Sequence, residues 1–351
     1  MSPDSLFATQ LQAASDRLFY LIEQFHQARV LVVGDLMLDE FLTGQVERAS
    51  REAPVLVIRH ETTRQVPGGG ANAAQNLAKL GAQVKVVGLL GDDPQGKVLL
   101  QIFEQAQIDT HNILVDGDRP TVTKTRISGH ARQSVTQQIV RVDRKSDALP
   151  PASLQQQLAN CIQQQLTSVD AIVCSDYGDG VLLPTVIDAA LQHPLSVVDS
   201  QRNIPRYVGA TLYTPNVPEA ELALGYPLTT PTGETDESLI NRAGEDLLAM
   251  TQATAVLITR GEDGMSLFEA SGKQHHIPAF NRTDVYDVTG AGDTVVAALT
   301  LALTQGATPW EASVLGNLAA SIVVRQFGTS TTSAEEMAVA LRSLLETFAI
   351  D

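Results

Sequence analysis

A short stretch of the chain combines two glycines with an acid at the start of an apolar run. Asp287 to Thr294 reads Asp-Val-Thr-Gly-Ala-Gly-Asp-Thr and precedes the apolar segment from Val295 to Leu303. The free N–H groups and the positive dipole end of a helix that begins here would point at a bound anion. The amides of Gly290 to Gly292, Ala291 included, therefore suit a phosphoryl group that gains charge during transfer. Asp293 is placed to take a proton from an attacking hydroxyl. The alternative is a tight strand-to-helix turn that Asp293 caps.

A second glycine motif lies near the N-terminus. Pro67 to Ala74 reads Pro-Gly-Gly-Gly-Ala-Asn-Ala-Ala, and small residues fill the first turns of the helix predicted there. Gly68, Gly69 and Gly70 allow either a flexible hinge or the close approach of a ligand. Asn72 offers a donor and an acceptor, which suit a sugar hydroxyl.

Common nucleotide-binding motifs do not occur in the sequence. It contains no Gly-x-x-x-x-Gly-Lys-[Ser/Thr], no protein-kinase motif set, and no Gly-x-Gly-x-x-Gly after the first predicted strand. The absence of these patterns argues against a P-loop enzyme and against a dinucleotide-dependent dehydrogenase.

Short β-branched runs that alternate with helical patterns predict the elements that hold these motifs. Such runs are typical of strands buried on both faces of a parallel sheet. The predicted strands are 30–35, 84–88, 171–176, 196–199, 211–214 and 255–259, and the predicted helices are 71–80, 97–106, 151–167, 182–191, 217–224 and 236–251. The alternation predicts an α/β fold with a doubly wound sheet, whose ligand site lies beyond the carboxyl ends of the strands.

Two segments interrupt this alternation. Residues 41–66 and 119–143 have strand-like composition without crossover helices, and the second alternates apolar and polar side chains. We expect a small antiparallel sheet that stands off the main domain. It would act as a lid over the site, as a dimer interface, or as both.

Composition and charge limit the classes of partner. The net charge is −16, which argues against a nucleic-acid-binding protein because such proteins need basic surfaces. Cys161 and Cys174 are isolated and predict free thiols in a reducing cytoplasm. No apolar stretch reaches 18 residues, and Met1 to Gln27 reads as an amphipathic helix rather than a signal peptide. We expect a cytoplasmic protein without a membrane span.

The two glycine motifs, in this order, resemble the two signatures of the ribokinase-type (PfkB) carbohydrate kinases. The likeness runs from about residue 28 to 345. It implies one ribokinase-like kinase domain over residues 1–351, with a mainly parallel sheet, flanking helices and lid segments inserted at 41–66 and 119–143. It also implies transfer of the γ-phosphoryl group of Mg–ATP, with Asp293 as the base and the Gly290–Gly292 amides as the anion hole.

Smaller matches carry over further roles by this resemblance. Asp35 and Asp39 match the substrate-binding acids, with a solvated loop as the alternative. Asn216 and Glu219 match the element that organises magnesium, although an acid is favoured at a helix start in any case. The remaining matches are Thr259, Gly261 and Gly264 for the nucleotide phosphates, Asn317 for adenine or for an ordinary helix contact, and Asp287 and Thr289 with 328–330 for a monovalent cation such as K⁺.

Within the family, the chain is similar to heptose 7-phosphate kinases. The shared segments are 33–39, 52–55, 123–126, 141–143, 175–177 and 286–289. Lys124, Arg126 and Arg141 either bind the phosphate of a phosphorylated sugar or are outward-facing lid charges. Two departures remove cations that such kinases carry, since the chain reads Gly178-Asp179-Gly180 and Asp199-Ser200-Gln201. Because the sequence ends at Asp351, we expect phosphorylation alone, without the nucleotidyltransferase domain often fused to these kinases.

The expected function is therefore an ATP-dependent sugar or sugar-phosphate kinase, acting as a homodimer through the lid. Two alternatives use the same scaffold. One is a kinase for an unphosphorylated sugar (fructose or ribose type), a nucleoside or a vitamin. The other is a non-catalytic protein that binds nucleotide or sugar.

Overall fold

A large, mainly parallel sheet forms the centre of the molecule. The structure, a computed structural model, describes residues 3–131, 136–202, 204–230, 236–281, 285, 287–326 and 328–350. Within these ranges the strands are β1 (Arg29–Gly34), β2 (Leu36–Ala49), β3 (Leu56–Gly69), β4 (Gln83–Gly91), β5 (Asp109–Asp116), β6 (Val122–His130), β7 (Gln137–Arg144), β8 (Ala171–Asp176), β9 (Ser196–Ser200), β10 (Leu212–Tyr213), β11 (Ala255–Thr259), β12 (Met265–Glu269) and β13 (Gln274–Ile277). The order in the large sheet is β13-β12-β11-β10-β9-β8-β1-β4-β5. Pairing is parallel except where β12 joins β11 and β13.

Helices cover both faces of this sheet. They are α1 (Pro3–Gln24), α2 (Gly70–Lys79), α3 (Pro94–Gln105), α4 (Ala152–Gln165), α5 (Pro184–Ala190), α6 (Val217–Leu224), α7 (Glu237–Thr251), α8 (Ala291–Thr304), α9 (Pro309–Val323) and α10 (Ala334–Ile350). In β1, Val30 and Val32 pack into one hydrophobic core, and Leu31 and Val33 into the other. A strand with two buried faces reads as a continuous apolar run, which is why the sequence revealed it.

The fold class predicted from the sequence is confirmed. The six predicted strands and the six predicted helices between them are present, and α6 has the predicted limits. The N-terminal helix is also present, with its apolar residues Leu11, Leu18 and Ile22 buried. The sequence reading missed β5, β12 and β13. None of the described helices is both long and apolar enough to cross a membrane.

The smaller sheet differs from the prediction. Its order is β3-β2-β6-β7, and the central pair, β2 with β6, is parallel, so the expectation of an antiparallel sheet was wrong. The reason lies in the connections. β2 begins right after β1, and β6 follows β5 after a short link, so both strands leave the carboxyl edge of the large sheet in the same direction. The strands also begin at Leu36 and extend to Gly69, beyond the predicted 41–66.

The carboxyl ends of the parallel strands meet at one edge, and the small sheet rises from it. Asp35 follows β1, Asp176 ends β8, and Asp199 lies near the end of β9. Ligands of open α/β sheets bind at this edge. The fold thus gathers polar side chains that are distant in sequence.

Candidate active site

The carboxylate of Asp293 lies at the centre of the polar cluster. It is 3% exposed, in the first turn of α8. Asn72 Nδ2 donates to Asp293 Oδ2 at 2.7 Å, and the Tyr177 hydroxyl donates to Oδ1 at 3.1 Å. Burial raises the pKa of Asp293 from 3.8 to about 7, although both hydrogen bonds oppose that shift. A carboxyl group that titrates near neutral pH is suited to general base catalysis.

Gly290 shapes the turn that brings Asp293 to this position. It caps α8 with φ +79°, in the left-handed region. A Cβ atom there would lie 2.7 Å from Asn72 Nδ2 and 3.0 Å from Thr329 Cγ2. By contrast, no atom lies within 4 Å of a Cβ built on Gly292. The first turn of α8 therefore opens onto free space at Gly292, where an anion can approach the helix, although the Ala291 N–H already donates to the Val288 carbonyl at 3.2 Å.

Replacing Gly290 with alanine is expected to lower kcat by about tenfold or more, because the new methyl group displaces Asn72 from Asp293. Gly306 provides a matched control beyond the other end of α8. Its φ is +75°, and the atom nearest to a Cβ added at Gly306 is Arg17 Nη2, at 3.8 Å. Both alanine variants should lose about 1–3 kcal/mol of stability from backbone strain. Only Gly290→Ala should lose kcat in steady-state assays, and equal losses would contradict this assignment.

The glycine triplet packs the small sheet against the main one. Gly69 lies opposite Leu36 in the β2–β3 pairing and has φ +54°. The N–H of Gly70 donates to the Asp35 carbonyl at 3.0 Å. A Cβ on Gly68 would come within 2.8 Å of the Asp39 carboxylate. Glycine is therefore needed in this triplet because its backbone packs closely against Asp35 and Asp39, the predicted substrate-binding acids.

Asp35 organises the loop that follows β8. Its carboxylate accepts hydrogen bonds from the N–H groups of Tyr177, Asp179 and Val181, at 2.9–3.0 Å. Burial raises its pKa to about 6, against the effect of these bonds. The sequence did not reveal this loop-holding role. The predicted contact between Asp35 and substrate stays a prediction.

Asp39 forms a buried ion pair with Arg126 of β6. Asp39 Oδ1 lies 2.8 Å from Arg126 Nη1, and the Asp39 side chain is 5% exposed. The geometry falls short of a hydrogen bond, so neither atom has a hydrogen-bond partner among the described residues. Buried polar atoms normally have partners. Charge attraction therefore holds Asp39 and Arg126 together across the β2–β6 pairing.

The three predicted lid cations separate into two groups. Lys124 lies over the Tyr177 ring, with Nζ 5.1 Å from its centroid, and Arg126 pairs with Asp39. Arg141 instead pairs with Asp143 on its own exposed strand, at 2.8 Å. Lys124 and Arg126 thus lie closer to the Asp293 cluster, whereas Arg141, the register partner of Arg126 on the same face of the sheet, is half exposed, and its substrate contact stays a prediction.

The sequence reading missed a further cation, Arg64 of β3. The guanidinium groups of Arg64 and Arg126 lie 4.9 and 5.2 Å from the centroid of the Phe41 ring. Phe41 is the register partner of both residues, in β3 and in β6. Only the pairing of three strands brings these cations together, and no local sequence pattern encodes that pairing.

Asp199 of β9 and Glu219 of the first turn of α6 are two acids that influence each other electrostatically. Burial, and then the negative charge of Glu219, raise the pKa of Asp199 well above its usual range. Asn216 and Glu219 form a capping box at α6, with reciprocal hydrogen bonds of 2.9 Å. Glu219 Oε2 is used in this box. The described residues contain no group of three or more ligating side chains. Since Mg²⁺ binds proteins through one or two carboxylates together with substrate phosphates, the Asp199–Glu219 pair fits it.

The turn after β11 is a tight glycine turn held by backbone hydrogen bonds, and its contact with nucleotide phosphates stays a prediction. Thr259 N donates to the Pro215 carbonyl at 2.9 Å, which joins this turn to the Asn216 element. Gly261 and Gly264 have φ of +59° and +84°, and a Cβ on Gly264 would overlap the Ile277 carbonyl. Asn317 is 5% exposed and donates to the Pro278 carbonyl at 2.7 Å. Its adenine contact stays a prediction.

Asp287, just before α8, accepts a hydrogen bond from the loop that precedes α10. Burial favours its neutral form, but hydrogen bonds from Thr289 and from the Gly328 N–H hold its pKa below the usual value. Thr329 Oγ1 is buried without a hydrogen-bond partner among the described residues. An orphaned oxygen beside a charged carboxylate fits a monovalent cation. Tyr286, part of the resemblance in sequence, lies outside the described residues.

Comparison with known proteins decides the family. Residues 27–337 match the pfkB family carbohydrate kinase profile. The chain belongs to the pfkB family of carbohydrate kinases. It is 42% identical over 315 residues to the bifunctional protein HldE of Geobacter metallireducens. The aligned region covers 88% of this chain and 61% of that protein. The chain thus spans about three fifths of the length of this curated relative. The family and the enzyme class predicted from the motifs are confirmed.

Solved structures confirm the fold of this pfkB-family chain. Phosphofructokinase-2 from Escherichia coli in complex with potassium superposes with a TM-score of 0.72 at 19% identity, over 90% of this chain and 99% of that chain. Arabidopsis thaliana ribokinase complexed with ribose and ATP gives 0.66 at 20% identity, over 91% and 99%. At such identities the likeness establishes the architecture, and the roles of individual residues rest on the site itself.

Proposed function

We propose that this chain is a sugar-phosphate kinase that transfers the γ-phosphoryl group of Mg–ATP to a heptose 7-phosphate. The observation that carries the proposal is the Asp293 carboxylate, buried beside the open first turn of α8 and held by two hydrogen bonds. A base next to an anion hole is the arrangement that phosphoryl transfer to a hydroxyl needs. The family membership and the similarity to HldE proteins support the same class of acceptor.

In the proposed reaction, the acceptor hydroxyl lies between Asp293 and the γ-phosphoryl group. Asp293 accepts the hydroxyl proton while the oxygen attacks phosphorus in line, and the amides of Gly290 to Gly292 stabilise the charge on the phosphoryl oxygens. Asp35, Asp39 and Asn72 orient the sugar. The small sheet covers the site and excludes water, which limits ATP hydrolysis.

Asp199 and Glu219 would hold Mg²⁺, which supplies charge neutralisation on the nucleotide phosphates. The turn formed by Thr259, Gly261 and Gly264 would lie against those phosphates; the N–H groups of Thr259 and Gly264 donate to the Pro215 and Gly261 carbonyls, so Gly261 would supply the N–H. Asp287 and Thr289, with the loop at 328–330, would hold K⁺. Asn317 would contact adenine.

The acceptor's own phosphate would bind the cations of the small sheet. Arg126 is paired with the buried Asp39 at 2.8 Å, and Lys124 lies on the Tyr177 ring. Arg64 faces the same side of the sheet through Phe41. Guanidinium groups bind phosphate in a bidentate manner. This cluster supplies positive charge in a chain whose net charge is −16.

The acceptor can be tested by measuring ADP release with Mg–ATP and three sugars: D-glycero-D-manno-heptose 7-phosphate, fructose and ribose. We expect the highest kcat/KM with the heptose phosphate. Turnover on a free sugar alone would retain the kinase and reject the phosphorylated acceptor. Nucleotide binding without turnover on any acceptor would favour a non-catalytic binding protein.

We also propose that two chains associate through the small sheet, in the cytoplasm. All eight residues of β7 are exposed. Among the described strands, β7 pairs only with β6 and forms one edge of the small sheet, with exposed Val140 and Val142. Open apolar edges are usually covered in the functional assembly. Sedimentation should give twice the mass of the 37.6 kDa chain, and the double substitution Val140→Glu with Val142→Glu should give monomers. A wild-type monomer at micromolar concentration would contradict this proposal.

A further inference from the structure

We propose that Tyr177 is a positioning residue that, together with a buried Asn76–Thr294 pair acting through Asn72, clamps the Asp293 carboxylate from both sides. This inference rests on the proposed role of Asp293 as the base. It gives a role to Tyr177, Asn76 and Thr294, to which neither the motifs nor the family comparison assigned one. Their common feature is that they act on Asp293 rather than on the substrate.

Tyr177 is fixed by its backbone and by its ring. Its N–H donates to Asp35 Oδ2 at 2.9 Å, so the buried Asp35 fixes the Tyr177 backbone just after the end of β8. Lys124 lies on its ring with Nζ 5.1 Å from the centroid. Its hydroxyl donates to Asp293 Oδ1 at 3.1 Å. Burial, and then the charge of Asp293, raise the pKa of Tyr177 well above its usual range. The hydroxyl therefore remains a donor at any working pH.

A chain of hydrogen bonds fixes the opposite side. Thr294 Oγ1 has two acceptors in reach, Asn76 Oδ1 at 2.9 Å and the Gly290 carbonyl at 3.2 Å, and Asn76 is the nearer. Asn76 Nδ2 donates to Asn72 Oδ1 at 3.2 Å and to the Asn72 carbonyl at 2.9 Å. Asn72 Nδ2 then donates to Asp293 Oδ2 at 2.7 Å. Thr294 and Asn76 are fully buried, so the chain joins α2 to α8 without water access.

The two sides together determine the direction of the carboxylate. One donor on each oxygen fixes the plane and rotation of the group, which leaves its remaining lone pairs for the proton of the acceptor. A general base must lie within about 3 Å of that proton's oxygen, and small misplacements are costly. The clamp therefore contributes to kcat rather than to substrate affinity.

Tyr177→Phe tests the first side, with Tyr207→Phe as a matched control. Tyr207 is fully buried whereas Tyr177 is partly buried, and the Tyr207 hydroxyl likewise donates to the carboxylate of a buried aspartate, Asp176, at 2.8 Å. We expect Tyr177→Phe to lower kcat about 10- to 100-fold with an unchanged KM for ATP, because a hydrogen bond to a charged group is lost. Tyr207→Phe should keep kcat within about twofold while losing similar thermal stability.

A double-mutant cycle distinguishes positioning from a general structural effect. If Tyr177 acts through Asp293, adding Tyr177→Phe to Asp293→Asn should not lower the residual kcat further. Independent effects would multiply instead, and that outcome would overturn the proposal.

Thr294→Val tests the second side and serves if Tyr177→Phe fails to fold. Thr300→Val is its control, since Thr300 is equally buried on α8 and its hydroxyl has no hydrogen-bond partner among the described residues. We expect a fall in kcat of about three- to tenfold for Thr294→Val and none for Thr300→Val.

The assays use whichever sugar acceptor the wild type phosphorylates, so rejection of the heptose phosphate alone leaves the inference intact. A wild-type protein without turnover on any acceptor would overturn both the function and the clamp. Wild-type turnover, with each test variant matching its control, would overturn the clamp alone.

Discussion

Asp293→Asn is expected to lower kcat by about 10²- to 10⁴-fold while leaving the affinity for Mg–ATP nearly unchanged, because positioned proton transfer contributes about that much to the rate. The carboxylate lies between two donors that leave it free to accept one more proton. The asparagine amide has the same shape but no basic oxygen. Steady-state kinetics and calorimetric titration with the nucleotide measure the two quantities separately. A variant with near-normal kcat would contradict the role of Asp293.

The same substitution should stabilise the fold above neutral pH. Burial raises the folded-state pKa of Asp293 from 3.8 to about 7, so the carboxyl group stabilises the fold when protonated. That contribution is lost as the pH rises toward about 7. Above that pH the folded protein carries the buried carboxylate charge. Asparagine carries no charge, so its advantage in melting temperature should grow from pH 4 to pH 7 and then stay constant. A constant difference across this range would show that Asp293 is ionised in the folded protein throughout.

Lys124→Met and Arg126→Met are each expected to raise the KM for a phosphorylated acceptor by about 10- to 100-fold, because each removes a charged hydrogen bond to its phosphate. The KM for ATP should not change. Arg141→Met is the matched control, since Arg141 has the same charge on the neighbouring strand but pairs with the exposed Asp143.

The assay for these variants belongs at pH 8.5 or above. The charge of Lys124 lowers the pKa of Asp293, so its removal raises that pKa and would depress the rate at neutral pH by a separate route. At alkaline pH the base is ionised in every variant. Equal effects of the Lys124, Arg126 and Arg141 substitutions, or equal effects on a free sugar, would contradict a phosphate site in the small sheet.

The local features of the site were predictable from the sequence. The glycines before α8 predicted a tight turn at the start of that helix, because glycine is favoured where φ is positive, as at Gly290. Buried strands were recognisable because both faces of β1 pack into cores. Asn216 to Glu219 predicted a helix start, and the structure shows a capping box there.

The long-range features were not predictable. The parallel pairing of β2 with β6 depends on both strands leaving the same sheet edge, which no local pattern encodes. Arg64 joins Arg126 through Phe41 only once three strands are in register. Tyr177 lies 116 positions from Asp293 in sequence, and only the folded loop shows that its hydroxyl donates to the Asp293 carboxylate.

Phosphorus NMR of a reaction mixture tests the proposed phosphoryl transfer most directly. With Mg–ATP and D-glycero-D-manno-heptose 7-phosphate, we expect a second sugar phosphoester signal that grows one-for-one with ADP. Accumulation of inorganic phosphate with ADP would contradict transfer to the sugar, because water rather than the acceptor hydroxyl would then be the nucleophile.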